Sequence, residues 1–201
     1  MLTLYHSPQT RSTRMIWLLE ELGTDYEIAY VDIERGDGTG KKDPRNPHPD
    51  KKVPALAHDG MLVTESVAIM LYLTDLFPEA GLGPKVGDPD RGAYLTWLAY
   101  YAGVIEPTLI IAYLGLGDHE GVARAFRGRP EMERRILSAL DDNDYLLGAR
   151  FSVADILIAS IGHWSREMLP ANEVMDAYLA RCAERPALAR ATAKDPLPAQ
   201  A

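Results

Sequence analysis

Lys52-Val53-Pro54-Ala55-Leu56, followed nine residues after Leu56 by Glu65-Ser66, is the stretch on which the fold of this chain turns. A Val-Pro step enters a short apolar run, Ala55 to Ala57. His58-Asp59-Gly60 has the composition of a turn, and a second apolar run, Met61 to Val63, completes a hairpin. An acid-hydroxyl pair then opens a helical pattern running to Phe77. One exposed backbone edge and one polar helix N-terminus are thereby set side by side. That pairing suits a small peptide-like ligand carrying its own carboxylate.

Working outward toward the N-terminus, residues 2–5 read as a strand and His6-Ser7-Pro8-Gln9 as a loop. From Thr10 or Arg11 a helix runs to Leu22 and stops at Gly23. Tyr26 to Ile33 is apolar and β-branched enough for a strand, and residues 36–49 are irregular. The order is β-α-β, then β-β-α. The first pair of strands needs a crossover helix and is expected to be parallel.

Working outward toward the C-terminus, Pro78 to Pro89 is rich in Gly and Pro and reads as a linker. Everything beyond it reads as helix. Arg91 to about Leu116 carries Tyr94, Trp97, Leu98, Tyr101 and Ile105 at helical spacing, with Pro107 expected to kink it. Further helices are expected over 119–127, 130–144, 152–168, 172–184 and 186–193. Ser152-Val153-Ala154-Asp155 has the form of a capping box ahead of the apolar run Ile156 to Ile161, so Asp155 reads as structural. The expected fold class is a two-domain α+β/α protein. A βαβ-ββα domain spans 1–78, a linker 79–89 and an all-α helical bundle 90–201, with 194–201 a disordered tail.

The 201 residues are 47% hydrophobic and 25% charged, with 21 basic against 29 acidic side chains for a net charge of -8. That balance supports a buried core. An acidic surface without a basic cluster argues against nucleic acid and against an anionic membrane surface. The single cysteine, Cys182, permits no internal disulfide and fits a reducing compartment. Met1 to Tyr5 lacks the features of a signal peptide, and no apolar run approaches the length of a bilayer span. A cytoplasmic location, with no metal, is expected.

Taken together, these elements resemble the cytosolic glutathione transferase superfamily, over essentially the whole chain. The first half is similar to its thioredoxin-like domain. His48-Pro49-Asp50-Lys51-Lys52-Val53-Pro54 is similar to a His-Pro-Leu-Gly-Lys-Ser-Pro pattern of one bacterial and fungal branch. Thr10-Arg11-Ser12-Thr13-Arg14, running into Trp17-Leu18-Leu19-Glu20-Glu21-Leu22, resembles that branch's Ser-Arg-Ser-x-Arg and Trp-Leu-Leu-Glu-Glu-Leu. Thr10 departs from the branch's Ser by a methyl, and Lys51 from its Gly by a charge.

The resemblance implies glutathione as co-substrate and assigns parts to these positions. A free thiol has a pKa of about 8.5, and lowering it by about two units is worth roughly 2.7 kcal/mol. A hydroxyl donating to sulfur at a helix N-terminus supplies such a shift. Thr10 is the first choice for it, with Ser12 and Ser7 as alternatives. Thr10 also reads as a plain N-cap, Tyr5 as a packed strand residue and His6 as a loop histidine. Pro54 is expected to be cis, turning the N–H and C=O of Val53 outward toward the cysteine portion of glutathione. Ser66 and the helix amides would hold the γ-glutamyl carboxylate, Glu65 its ammonium, and Lys52 the glycyl carboxylate. Lys51 reads as solvated.

An apolar electrophile would meet Tyr100, Tyr101, Val104 and Thr108, with Trp97 in the core. The resemblance further implies a homodimer and conjugation of small hydrophobic electrophiles, the chemistry of detoxification. Glutathione-dependent disulfide reduction, isomerisation or dehalogenation, and a non-catalytic glutathione-binding module are the alternatives.

Overall fold

The computed structural model describes residues 1–196. Leu2, Leu4 and His6 are buried and alternate with half-exposed neighbours along β1 (Leu2–His6), the period-two pattern of a strand packed on one face. β2 (Tyr26–Tyr30) lies parallel to β1 on one side. β3 (Ala55–His58) lies antiparallel on the other and is joined to β4 (Met61–Thr64) as a hairpin. The sheet order is β2-β1-β3-β4. This is the thioredoxin-like arrangement expected. β2 stops three residues earlier than expected, and Asp32 and Ile33 follow as irregular backbone.

The crossover between the parallel strands is α1 (Thr13–Leu22), which buries Met15, Ile16, Trp17, Leu18 and Leu19. Gly23 ends it at φ 63, donating its N–H to Leu19 O at 3.1 Å, a left-handed position that costs a side chain more than it costs glycine. α2 (Ser66–Leu76) follows β4. Tyr5 pairs with Ala55, and Ala55 with Thr64. The loop leaving β1, the Val53-Pro54 step entering β3 and the Glu65-Ser66 start of α2 therefore gather at one end of the sheet.

The helical half is α3 (Arg91–Tyr100), a π-helical turn (Tyr101–Ile105), α4 (Glu106–Tyr113), α5 (Glu120–Ala125), α6 (Arg129–Leu140), α7 (Val153–Trp164) and α8 (Glu173–Ala183). Pro107 is met by that π turn, in which Glu106 N–H reaches back to Tyr101 O; the wider turn accommodates the missing donor of the proline. The stretch Arg91–Tyr113 is a 23-residue helix containing an 18-residue window of mean hydropathy 1.3, long and apolar enough to cross a membrane by length and composition, which the expectation of no such run did not foresee. It buries Tyr94, Trp97 and Leu98 within the protein. The capping box forms: Ser152 N–H donates to Asp155 Oδ2 at 2.8 Å and Ala154 N–H to Ser152 Oγ at 3.2 Å. Asp155 is completely buried and also accepts from Leu146 N–H, Ser152 Oγ and Tyr178 OH.

The chain divides into two compact units, Gly81–Glu184 and Met1–Ala80 joined by the chain from Arg185 onward. The domain boundary expected near 90–201 thus needs correcting at its far end. α9 (Pro186–Ala193) packs on α1, where its small Ala187 and Ala191 are buried. Arg185 forms a two-pronged pair with Glu21, through Nε at 2.6 Å and Nη2 at 2.7 Å. Glu20 takes Arg190 Nε at 2.7 Å, Lys194 Nζ at 2.5 Å and Tyr26 OH at 2.7 Å. The tail expected to be disordered from 194 is ordered through Asp195, which is only 6% exposed; residues 197–201 of that expectation lie outside the described residues.

Candidate functional site

The helix expected from Thr10 begins only at Thr13, so Thr10 sits in the turn ahead of it rather than capping it. Its Oγ1 donates to Ser7 O at 2.7 Å and lies 2.7 Å from Ser12 Oγ. Thr10 is partly exposed, whereas Ser12 and Ser7 are buried. Ser12 is a hub: its Oγ lies 2.7 Å from His6 Nδ1 and 3.2 Å from Ser7 O, and it accepts the Ser7 N–H at 3.3 Å. Of the expected hydroxyls, Thr10 is the one that reaches the surface, and Ser12 lies beneath it. His6, expected in the loop, is the last residue of β1 and fully buried. Arg35, from the segment after β2, donates to Ser7 Oγ at 3.1 Å and Pro8 O at 3.0 Å and so pins the same loop.

The Val53–Pro54 peptide is cis, and Pro54 is buried. Among the described residues, neither the N–H nor the C=O of Val53 has a hydrogen-bond partner in the protein. The neighbouring Lys52 carbonyl is held by Asn46 Nδ2 at 3.0 Å, and Asn46 is completely buried, with its Oδ1 accepting His48 N–H. Lys51 stands at φ 56 with its ammonium on Asn46 O, and Lys52 reaches Glu34 O at 3.3 Å while staying exposed. Glu65 is exposed at φ 69 and ψ 125, and its side chain makes no capping bond. A non-glycine residue held there carries backbone strain of about 1–3 kcal/mol, a feature concentrated at ligand sites. Ser66 begins α2, whose first amides have no helical acceptor.

The first 75 residues match the family model "Glutathione S-transferase, N-terminal domain". The Escherichia coli O157:H7 glutathione S-transferase GstA is 29% identical over 200 residues, covering 91% of this chain and 93% of that protein. A sphingomonad glutathione S-transferase solved in complex with glutathione aligns at TM-score 0.78 and 29% identity over 98% of this chain and 100% of that one. Residues 1–75 thus match a glutathione S-transferase N-terminal domain, and nearly the whole chain is similar to glutathione S-transferases. The disulfide-bond oxidoreductase YfcG of Escherichia coli K12 is 28% identical over 187 residues, covering 84% of this chain and 83% of that protein.

The residues expected to wall an electrophile pocket are mostly interior. Tyr100, Tyr101 and Thr108 are buried, and Val104 is partly exposed. Tyr100 lies under the Arg135 guanidinium at 4.0 Å and edge-on to Trp97 at 5.9 Å. Thr108 Oγ1 donates to Arg127 O at 3.1 Å. Trp97 is core, as expected. Among the described residues no cluster of His, Cys, Asp or Glu could hold a metal ion. Sequence reasoning missed Asn46 and Arg35, which lie in an irregular segment where no periodicity marks them. It also missed Asp195, whose partners are 186 residues away at Gln9 and 182 away at Thr13.

Proposed function

We propose that this protein binds glutathione at the Thr10, Val53 and Glu65 end of the sheet and transfers its thiolate to a small apolar electrophile. The observation that carries this is the backbone of Val53 at the entrance of β3, which has no partner among the described residues. It offers one donor and one acceptor to an extended peptide, as an added strand would use them. The γ-glutamyl carboxylate is held by the free amides of α2 and the Ser66 hydroxyl. The Glu65 carboxylate accepts from the ammonium, and the exposed Lys52 pairs with the glycyl carboxylate. With the tripeptide so held, its sulfur meets the partly exposed hydroxyl of Thr10, which donates to the thiolate and lowers the thiol pKa. The thiolate attacks the electrophilic carbon, a sulfur–carbon bond forms, and the leaving group departs with the displaced electron pair.

Turnover of a chlorodinitrobenzene-type substrate by wild type and Thr10→Ala tests the assignment. Chloride release by wild type and its loss in the variant are expected, and equal rates would remove Thr10 from the mechanism. Calorimetry with glutathione tests the ligand itself, and absence of binding would leave a fold without this function.

A second activity, glutathione-dependent disulfide reduction, is favoured by the likeness to YfcG. Cys182, the one cysteine, is buried on α8, so both thiols would come from glutathione. The ratio of disulfide-reductase to conjugation rates separates the two. A homodimer in the cytoplasm completes the proposal; Met61 and Leu62 on edge strand β4 and Leu76 on α2 are exposed apolar side chains that a second copy could cover.

A further inference from the structure

His6 is completely buried and Asp195 nearly so, and neither touches the proposed ligand. Their side chains face each other, with His6 Nε2 3.1 Å from Asp195 Oδ1, close enough for an ion pair although not aligned as a hydrogen bond. The same carboxylate accepts from Gln9 N–H at 3.0 Å, Gln9 Nε2 at 3.0 Å and Thr13 Oγ1 at 2.9 Å. From the other ring nitrogen, His6 Nδ1, it is 2.7 Å to Ser12 Oγ, and from there 2.7 Å to Thr10 Oγ1. A row of close polar contacts therefore runs from Asp195 through His6 and Ser12 to Thr10, the hydroxyl at the surface.

A row of hydroxyls has two possible directions, and the state of His6 selects between them. If the ring is neutral with its proton on Nε2, Nδ1 accepts the Ser12 proton. Ser12 Oγ then draws the Thr10 proton inward, away from a ligand. If the ring is imidazolium, Nδ1–H donates to Ser12 and Ser12 donates to Thr10, so the Thr10 proton, which rests on Ser7 O at 2.7 Å without ligand, is not drawn inward by Ser12 and can swing to a ligand acceptor. A lone imidazolium in a fully buried position is costly, and a carboxylate against it removes that cost.

We infer that Asp195 and His6 are positioning residues that turn the Ser12 and Thr10 hydroxyls toward the ligand sulfur, which makes the chain's C-terminal segment a working part of the thiol site; the inference rests on the glutathione-site proposal above. No covalent step is involved, and the row transmits orientation only. Burial raises the Asp195 carboxyl, but His6, the Gln9 amide and the Thr13 hydroxyl together hold it below the usual carboxylate value, which keeps it anionic beside the ring. The other groups around His6 leave this assignment to the carboxylate. Tyr30 is edge-on to the ring at 5.5 Å, with its hydroxyl donating to Lys194 O. Arg35 is engaged with Ser7 and Pro8, and Lys194 with Glu20.

Two measurements test this. The first is nitrogen NMR of the His6 imidazole in wild type near neutral pH, which needs no variant and no ligand. A proton on Nδ1, donated to Ser12, is expected, and an Nδ1 that carries no proton overturns the inference. The second is the ultraviolet titration of glutathione thiol bound to wild type and to Asp195→Asn, which keeps the shape and removes the charge. The bound thiol pKa is expected to rise by about one unit in the variant, a tenfold loss of thiolate at a given pH, with little change in glutathione affinity. An unchanged thiol pKa overturns the relay while leaving the site intact. Failure of wild type to bind glutathione overturns the site proposal and the relay together.

Discussion

Thr10 Oγ1 and Ser12 Oγ lie 2.7 Å apart, one at the surface and the other sealed beneath it. Two hydroxyls at nearly the same place in the sequence are therefore expected to respond differently to substitution. Thr10→Ala removes a donor to a charged sulfur, worth about 1.5–3 kcal/mol. It is expected to raise the bound thiol pKa by about one to two units and to cost less stability than Ser12→Ala, since Thr10 is partly exposed. Ser12→Ala leaves His6 Nδ1 and Ser7 N–H buried without this partner. It is expected to lower thermal stability as well as activity, by about 1–3 kcal/mol in chemical denaturation. Equal stability loss in both variants would contradict the division.

Glu65 holds φ 69 without a capping bond. Glu65→Gly is expected to be about 1 kcal/mol more stable than Glu65→Ala, because glycine alone tolerates that backbone. Both variants are expected to bind glutathione at least tenfold more weakly, from loss of the carboxylate that meets its ammonium. Urea denaturation and calorimetry on the two proteins check both halves of the prediction.

Much of this site was legible because its signals are local. Val53-Pro54, the turn His58-Asp59-Gly60 and the acid-hydroxyl start of α2 each announce themselves within a few residues, and each falls where expected. Ser152 and Asp155 were equally readable as a capping box. Glu65's positive φ was not, since nothing in a glutamate predicts it; only the closed hairpin and the helix behind it impose it. His6 and Asp195 were illegible for another reason. Their meeting depends on α9 docking against α1, through pairs such as Arg185 with Glu21 that are 164 residues apart. The helix start at Thr13 instead of Thr10 reflects the same crowding: the Ser7, Thr10 and Ser12 groups satisfy one another and hold the turn open.

That docking has a pH signature. Burial alone would raise the Glu20 carboxyl, but Lys194, Tyr26 and Arg190 bring it down to about 2. A carboxylate depressed in the folded state contributes stability above its unfolded pKa of about 4.3, and that stability is lost as pH falls through the folded value. Protection of α9 amides from hydrogen exchange is therefore expected to fall between pH of about 4.5 and 2, ahead of the sheet. Glu20→Gln is expected to lose the same protection at neutral pH, and a pH-independent α9 would contradict the assignment.

Asp155 gathers Leu146 N–H, Ser152 N–H, Ser152 Oγ and Tyr178 OH on one buried carboxylate. Asp155→Ala strands all four donors and is expected to cost about 3 kcal/mol or more, read as a lower denaturation midpoint. The folded fraction is expected to retain the wild-type thiol pKa of bound glutathione, since Asp155 braces α7 and takes no part in the chemistry.

The central claim is that Thr10, rather than Ser12 or Ser7, meets the thiol of a glutathione laid along Val53. A crystal structure with glutathione bound tests it most directly. The account predicts sulfur within hydrogen-bond reach of Thr10 Oγ1, the cysteinyl backbone paired with Val53 N–H and C=O, and the γ-glutamyl carboxylate on Ser66. Glutathione bound elsewhere, or with its sulfur turned away from Thr10, would contradict it.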